Sequence, residues 1–329
     1  GETVDPVNDR FTTLPAPAGT RHAMTIQTTR ITVPVDDATL CLHRFRRPDG
    51  RGPAVLMLHG MMSNGRVFYS HSGKGLAPWL AARGCDVFVA DLRGKGGSLP
   101  PIDSQSHHGQ SEMIAVDLPA LHAAVLQHTQ AGQVHWVSHS WGGVVMNSCL
   151  LRHPELIAQV ASVVHFAAKR SVRVRNLNKW IEIDLMWNAV LRRLTRWVGY
   201  LPARQLRIGL DNETRKTHRQ IRAWVRADRW VDEDDGFDYG LAAQRTQLPP
   251  TLYLAGIDDP CRGHPEDVKR FRAESGPHLS RVHVLSKRGG ALHDYDHASI
   301  VTHPDAARDQ FKLLEAWMQG RHEAVPERG

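Results

Sequence analysis

The sequence is poor in cysteine and has neither a long apolar run nor a low-complexity tract. Its four cysteines, Cys41, Cys85, Cys149 and Cys261, are scattered over 329 residues, and none belongs to a CxxC pair. That spacing argues against a zinc site and by itself leaves a disulfide between any two of them open. Buried free thiols are expected. No stretch approaches the ~18 consecutive apolar residues of a membrane-spanning helix. There are no internal repeats, so solenoid and propeller architectures are excluded. The first twenty residues are polar and Pro-containing, without the apolar centre of a signal peptide. Residues 1–23 therefore read as an irregular arm, and a cytoplasmic location is expected.

Apolar residues make up 41% and charged residues 23%, as in an ordinary globular protein, and the length allows one large domain with an insertion. The net charge of +7 is not spread evenly. Residues 169–231 hold 16 Lys and Arg against 5 Asp and Glu, so the rest of the chain is slightly acidic. Five of the nine tryptophans fall between positions 169 and 247: Trp180, Trp187, Trp197, Trp224 and Trp230. At helical spacing they are expected to pack this segment down on the body. No nucleic-acid-binding motif accompanies the charge, so nucleic acid is not the expected partner. An anionic lipid or an acidic substrate is compatible with it.

Residues 24–35 and 39–45 alternate apolar with polar side chains around Asp36-Asp37, the pattern of a half-exposed hairpin. Near-continuous apolar runs follow at 53–58, 85–90, 134–137, 156–166, 250–255 and 280–285. Such runs mark strands buried on both faces of a parallel sheet. Helix-compatible segments lie between them, at 76–83, 111–129, 143–152, 266–273 and 304–318. The alternation predicts an α/β fold with a mostly parallel, doubly wound sheet. The body is expected at 24–168 and 248–320. Residues 169–247 form an inserted helical cap, and residues 321–329 a C-terminal tail.

Residues 138–142 read Ser-His-Ser-Trp-Gly, between an apolar strand and a helix. Small residues two places either side of Ser140 allow a strained strand–turn–helix that exposes a nucleophile. A serine hydroxyl attacks only when a histidine takes its proton, and an acid must orient that histidine. Those groups are expected in the order Ser, acid, His, at the carboxyl ends of strands. Asp259 and His297 meet the requirement. Asp258 is the adjacent alternative acid and His293 the alternative base. Asp259 is favoured because it precedes the Pro that closes its turn, and His297 because a short link joins it to the last helix. The backbone N–H groups of Met61 and Trp141 are the expected oxyanion donors, with Gly60 letting the chain approach closely. His59 is expected to be a hydrogen-bonded structural residue, and His107 and His108 to be loop residues. No cofactor or metal is expected.

Several stretches carry a resemblance. They are His59-Gly60 and its loop, residues 75–98 ending in Asp-x-Arg-Gly-x-Gly-x-Ser, residues 111–125, and the Ser140 turn. Over most of residues 53–320 the chain resembles α/β-hydrolases of the lipase/esterase kind, in particular acid lipases and their bacterial relatives. The resemblance implies the α/β-hydrolase fold, Ser140 as nucleophile, Asp259 as acid, His297 as base and a cap over the pocket. It departs from the family pattern at Ser138, where Gly is usual, and in the loop at 292–301. The implied activity is cleavage of a small-molecule carboxylic ester with an apolar acyl group. Thioesterase, lactonase, amidase and C–C hydrolase chemistry could use the same three residues. Dehalogenases and epoxide hydrolases of similar fold use a carboxylate nucleophile instead. The alternative from another class is a non-catalytic binding module of this fold, against which the retained Ser, Asp and His set counts. Oligomeric state is not legible.

Overall fold

The structure is a computed structural model that describes residues 25–329. The arm expected at 1–23 lies outside the described residues. An eight-stranded sheet forms the centre. Its first six strands in the chain are β1 (Gln27–Val35), β2 (Ala38–Arg46), β3 (Ala54–Leu58), β4 (Asp86–Asp91), β5 (Val134–His139) and β6 (Val160–Phe166). A short ribbon of β7 (Tyr200–Leu201) and β8 (Glu213–Thr214) stands apart. Two further strands, β9 (Thr251–Gly256) and β10 (Ser280–Leu285), complete the main sheet. Its order is β1-β2-β4-β3-β5-β6-β9-β10, with the β1–β2 and β2–β4 pairings antiparallel and the others parallel. The hairpin turns at Asp36 and Asp37.

The eight main helices are α1 (Leu76–Ala82), α2 (Leu118–Thr129), α3 (Trp141–Arg152), α4 (Leu191–Val198), α5 (Arg215–Arg226), α6 (Tyr239–Arg245), α7 (Pro265–Glu274) and α8 (Gln310–Met318). The period-two alternation of the buried strands feeds two apolar layers. Leu56 and Leu58 of β3 join the layer under α2 and α3, with Leu118, Leu121, Val144 and Val145. Val55 and Met57 join the opposite layer under α1 and α8, with Leu76, Leu80, Phe311 and Trp317. Helices on both faces make the sheet doubly wound. The carboxyl ends of β3, β5, β6, β9 and β10 therefore lie along one edge, where ligands bind in such sheets.

Three elements differ from the sequence pattern. The strand expected at 156–166 begins at Val160, because Pro154–Gln159 forms a 3-10 turn. Pro154 has its ring-fixed φ at the start of that turn, and the apolar Leu156 and Ile157 pack against the core without joining the sheet. The helix expected at 111–129 contains a π turn, Met113–Asp117, whose Asp117 forms a buried ion pair with Arg93 at 2.6 Å. The closing helix divides into a 3-10 turn, Pro304–Arg308, and α8. Asp309 lies at the break, and its Oδ2 accepts from the Tyr295 hydroxyl at 2.6 Å and the Leu292 N–H at 2.9 Å.

Between β6 and β9 the chain winds through π stretch Trp180–Val190, α4, the β7–β8 ribbon, α5 and α6. Ile183, Trp187, Leu191 and Trp224 join the apolar layer that also holds Trp141. Trp230 is buried as well, whereas Trp180 and Trp197 are exposed. At the other end, Arg328 pairs with β10: its N–H donates to the Val282 carbonyl, and its carbonyl accepts from Val284, both at 2.9 Å. The stretch expected as a tail thus extends the sheet edge. All four cysteines are free and buried. Among the described residues no helix is long and apolar enough to cross a membrane.

Candidate active site

Strand β5 ends in a turn whose backbone is strained at one residue. Ser140 has φ 55° and ψ −129°, a conformation that a non-glycine residue adopts only when its surroundings enforce it. The Ser140 N–H donates to the Phe166 carbonyl at 2.8 Å, fixing the turn against β6. A Cβ at position 142 would lie 2.5 Å from the carbonyl oxygens of Leu58 and His59, so Gly142 is required where α3 crosses the end of β3. A Cβ at position 143 would lie 2.6 Å from the Ala168 Cβ and 2.8 Å from the Ser138 Oγ.

Ser138 is accommodated because its hydroxyl has a partner. It lies 2.6 Å from Nδ1 of His165, and Nε2 of His165 lies 2.8 Å from Oδ1 of Asn147. An amide oxygen only accepts, so Nε2 carries the proton and Ser138 donates to Nδ1. Burial pushes the His165 pKa down to about 3, which keeps the ring neutral as this pattern requires.

The structure brings together three of the predicted side chains. Nε2 of His297 lies 2.9 Å from Oγ of Ser140, and Nδ1 lies 2.7 Å from Oδ2 of Asp259. Asp259 follows β9 and is fully buried, while Ser140 is 6% exposed. The other oxygen of Asp259 accepts from the Arg262 N–H at 3.0 Å. Burial pushes the Asp259 pKa up. Attraction and a hydrogen bond from His297, a backbone bond from Gly263 and the charge of Lys169 together outweigh it and hold the carboxyl below its usual range. With the acid ionised, the proton of His297 belongs on Nδ1, and Nε2 is free to accept from Ser140.

The alternatives lie elsewhere. The Asp258 side chain is exposed, and its N–H donates to the Tyr295 carbonyl at 2.9 Å. His293 is paired with Asp305 at 2.6 Å and lies against His303, with ring centroids 4.2 Å apart. His107 is exposed, and His108 is half-buried with Nε2 3.2 Å from the Arg93 carbonyl.

The loop after β3 passes directly over the turn. A Cβ on Gly60 would lie 2.9 Å from the Ser140 Cβ and 3.2 Å from the Trp141 nitrogen. That proximity sets the Gly60 loop directly against the Ser140–Trp141 turn. His59 is buried beneath the loop. Its Nδ1 donates to the Gly60 carbonyl at 2.8 Å, and its Nε2 accepts from the Leu92 N–H at 3.0 Å. Burial, with the Lys95 charge, lowers its pKa to about 4, consistent with a neutral structural ring.

Four contributors carry no sequence signal of their own: Glu213, Gln110, His139 and Lys169. Glu213 of β8 accepts from the Met62 N–H at 2.9 Å and from the Lys95 ammonium; both charged side chains are buried. Met62 has φ 51°, and its carbonyl accepts from Leu210 at 2.9 Å. The ribbon between α4 and α5 therefore holds the Gly60–Met61 loop in place. Gln110 accepts from the Trp141 indole N–H at 3.0 Å and donates its backbone N–H to Gln220 of α5 at 2.8 Å. His139 donates from Nε2 to the His297 carbonyl at 2.7 Å. Lys169, buried, lies 5.5 Å from the Trp141 ring centre.

Two groups of metal-ligating side chains occur among the described residues, Cys41–His43–Asp91 and His293–His303–Asp305. Their polar atoms already serve one another. Asp91 accepts from His43 at 2.8 Å, Gly65 at 2.8 Å and Gly97 at 2.9 Å. Although burial opposes it, bonds to Asp91 and Cys41 raise the His43 pKa to about 9, so the ring is a cation in this network.

A strained serine at a strand–helix turn, with a histidine–carboxylate pair behind it on a doubly wound sheet, defines a class. The α/β hydrolase fold family matches residues 53–223, and the chain belongs to that family. A fluoroacetate dehalogenase of Burkholderia is 34% identical over 113 residues, covering 34% of each protein. A pimeloyl-[acyl-carrier protein] methyl ester esterase of Vibrio campbellii is 33% identical over 127 residues, covering 38% of this chain and 42% of the relative. The chain spans about a third of the length of the first curated relatives it matches. Among solved structures, an esterase from Exiguobacterium antarcticum superposes with a TM-score of 0.59 at 18% identity, covering 89% of this chain and all of that one. An esterase from Thermogutta terrifontis gives 0.58 at 17% identity, covering 89% and 98%. At such identities these two likenesses speak for the fold alone.

Proposed function

We infer that the protein is a serine hydrolase that cleaves carboxylic esters through an acyl-enzyme on Ser140. The observation that carries this reading is the continuous chain Ser140 Oγ–His297–Asp259, with hydrogen bonds of 2.9 and 2.7 Å, on a backbone strained at the serine. His297 takes the Ser140 proton as Oγ attacks the ester carbonyl, and Asp259 supports the imidazolium that forms. The Met61 and Trp141 N–H groups face the developing oxyanion. Collapse expels the alcohol, which receives the proton from His297. Water then attacks the acyl-enzyme, with His297 again as base, and releases the acid.

The nucleophile also selects among the chemistries for which the relatives are named. Displacing a halide or opening an epoxide with Ser140 would leave an alkyl ether, which water does not readily cleave. Attack on an acyl carbon leaves an ester, which the same histidine hydrolyses. Trp224, whose ring centre lies 6.3 Å from that of Trp141, favours an apolar acyl group. A series of model esters of increasing acyl length, with matching thioesters and lactones, tests the reading. Ester turnover that depends on Ser140 is expected. Turnover confined to thioesters, lactones or carbon–carbon bonds would reassign the substrate while keeping the nucleophile. No turnover and no covalent labelling of Ser140 in the folded protein would favour a binding module.

A further inference from the structure

Fifteen large apolar side chains are exposed among the described residues, and ten of them lie between positions 177 and 210. Their arrangement follows from the winding of the chain. Residues Trp180–Val190 form a π-helix, in which positions five apart are hydrogen-bonded and share a face. Trp180, Leu185 and Val190 make one such exposed row, with Ile181 and Met186 beside it. Ile183, Trp187 and Leu191 face the interior. When ordinary α winding resumes in α4, Arg193 and Trp197 follow Val190 at spacings of three and seven, on the same face. Trp197 is 87% exposed, more than any other large apolar side chain described.

The unpaired charge beside this face is basic: Glu182 and Asp184, the acidic residues of 177–198, are paired with Arg262 and Lys179. Residues 185–210 contain five arginines and no Asp or Glu. Arg192, Arg193 and Arg196 make no ion pair among the described residues. Neither do Arg215, Arg222 and Arg226 of the neighbouring α5. Arg192, Arg196, Arg215, Arg219 and Arg222 line one cleft between α4 and α5, and burial with the neighbouring arginine charges pushes the Arg222 pKa down. Unpaired like charges beside exposed tryptophan and aliphatic side chains form an amphipathic surface that lacks a counter-charge.

We propose that the face of residues 177–198, with the arginines of α4 and α5, docks on an anionic lipid bilayer, the tryptophans entering the interface and the arginines meeting lipid phosphates. Tryptophan favours the boundary between headgroups and acyl chains, and basic residues are drawn to an anionic leaflet. A second copy of the chain fits less well, since a two-fold interface would set arginine against arginine. Nucleic acid fits less well too, because Leu185 and Val190 offer no ring for base stacking. Docking here would put the membrane beside the site. Glu182 on the π stretch pairs with Arg262 at 2.8 Å, in the turn that follows Asp259. The inference does not depend on which bond the site cleaves.

The test is co-sedimentation of the full chain with phosphatidylcholine vesicles, with and without phosphatidylglycerol. Three proteins are compared: wild type, the triple variant R192E/R193E/R196E, and the double variant W180A/W197A. All five positions are exposed, and unchanged circular dichroism and melting temperature establish that each variant is folded. Wild type is expected to bind the anionic vesicles and to be released by salt. The arginine reversals are expected to weaken that binding roughly a hundredfold. The tryptophan truncations are expected to weaken it as well, mainly in the part that survives high salt. Equal binding by wild type and both variants, or no binding to anionic vesicles, would overturn the proposal. So would a wild-type dimer that W180A/W197A dissociates without any vesicle binding, or retention on RNA with none on vesicles.

Discussion

Nε2 of His139 donates to the backbone carbonyl of His297 at 2.7 Å, so the residue just before Ser140 holds the proposed base. The two rings lie 5.0 Å apart. Burial and the nearby His297 charge lower the His139 pKa to about 3, so the ring is neutral and its one proton sits on Nε2. His139→Phe keeps the ring volume and removes the donor. A fall in kcat of about 10- to 100-fold is expected, with KM little changed, because a small displacement of the base weakens attack more than binding. His139→Gln should restore part of kcat. Equal losses in kcat and melting temperature with no rescue would assign His139 a purely structural part.

Glu213 makes a second prediction. Its carboxylate joins the Met62 N–H to Lys95, with both charges buried. Glu213→Ala leaves the Lys95 ammonium without its partner, which costs about 3–5 kcal/mol. It also frees the Gly60–Met61 loop. Urea denaturation should show the loss of stability, and the surviving folded fraction should show a lowered kcat for esters. Unchanged stability would mean that Lys95 finds another partner or water.

The acid and base assignments separate cleanly by substitution. Asp259→Asn should lower ester kcat by about 10^4-fold, because the amide no longer fixes the His297 tautomer. Asp258→Asn, at an exposed side chain, should stay within about twofold of wild type. His293→Ala breaks the partly exposed pair with Asp305, worth ~1 kcal/mol or less, and the ring contact with His303, and should also retain activity. Measured kcat values for the three variants decide between the paired candidates.

Stability should fall steeply in mild acid. His59, His108, His135 and His218 have pKa values lowered to about 4, and His139 and His165 to about 3, in each case chiefly by burial. An unfolded histidine takes up its proton near pH 6.5, whereas these remain neutral in the folded protein. Between about pH 6.5 and pH 4 the unfolded state therefore binds more protons, and stability drops as pH falls. Each such histidine contributes a slope of up to ~1.4 kcal/mol per pH unit. His43 works the other way: its pKa is raised to about 9, so its contribution is complete below pH 6.5 and is lost as pH rises through 9. A melting temperature that is flat from pH 6.5 to pH 4.5 would contradict the buried, neutral state of these rings.

The parts of this fold that repeat a simple period were legible in the sequence. Buried strands such as Ala54–Leu58 announce themselves as continuous apolar runs, and the turn at Ser140 by its small flanking residues. Asp259 and Asp258 were separable only by the turn between them, and the structure buries one and exposes the other. Glu213 and His139 could not be found that way. Glu213 reaches the Met62 loop across 151 positions and His139 reaches its partner across 158, so neither makes a local pattern. The π turn at Met113–Asp117 was hidden for a related reason. Asp117 is committed to Arg93, a tertiary contact that overrides the 3.6-residue period of its helix.

The central claim is that Ser140 is the nucleophile, and covalent labelling tests it most directly. Wild type and Ser140→Ala would be treated with a fluorophosphonate probe, digested and analysed by mass spectrometry, with circular dichroism to establish folding. One adduct on the peptide containing Ser140 is expected in wild type and none in Ser140→Ala, whose ester hydrolysis should fall by about 10^6-fold. Labelling elsewhere, or hydrolysis unchanged in folded Ser140→Ala, would contradict the account.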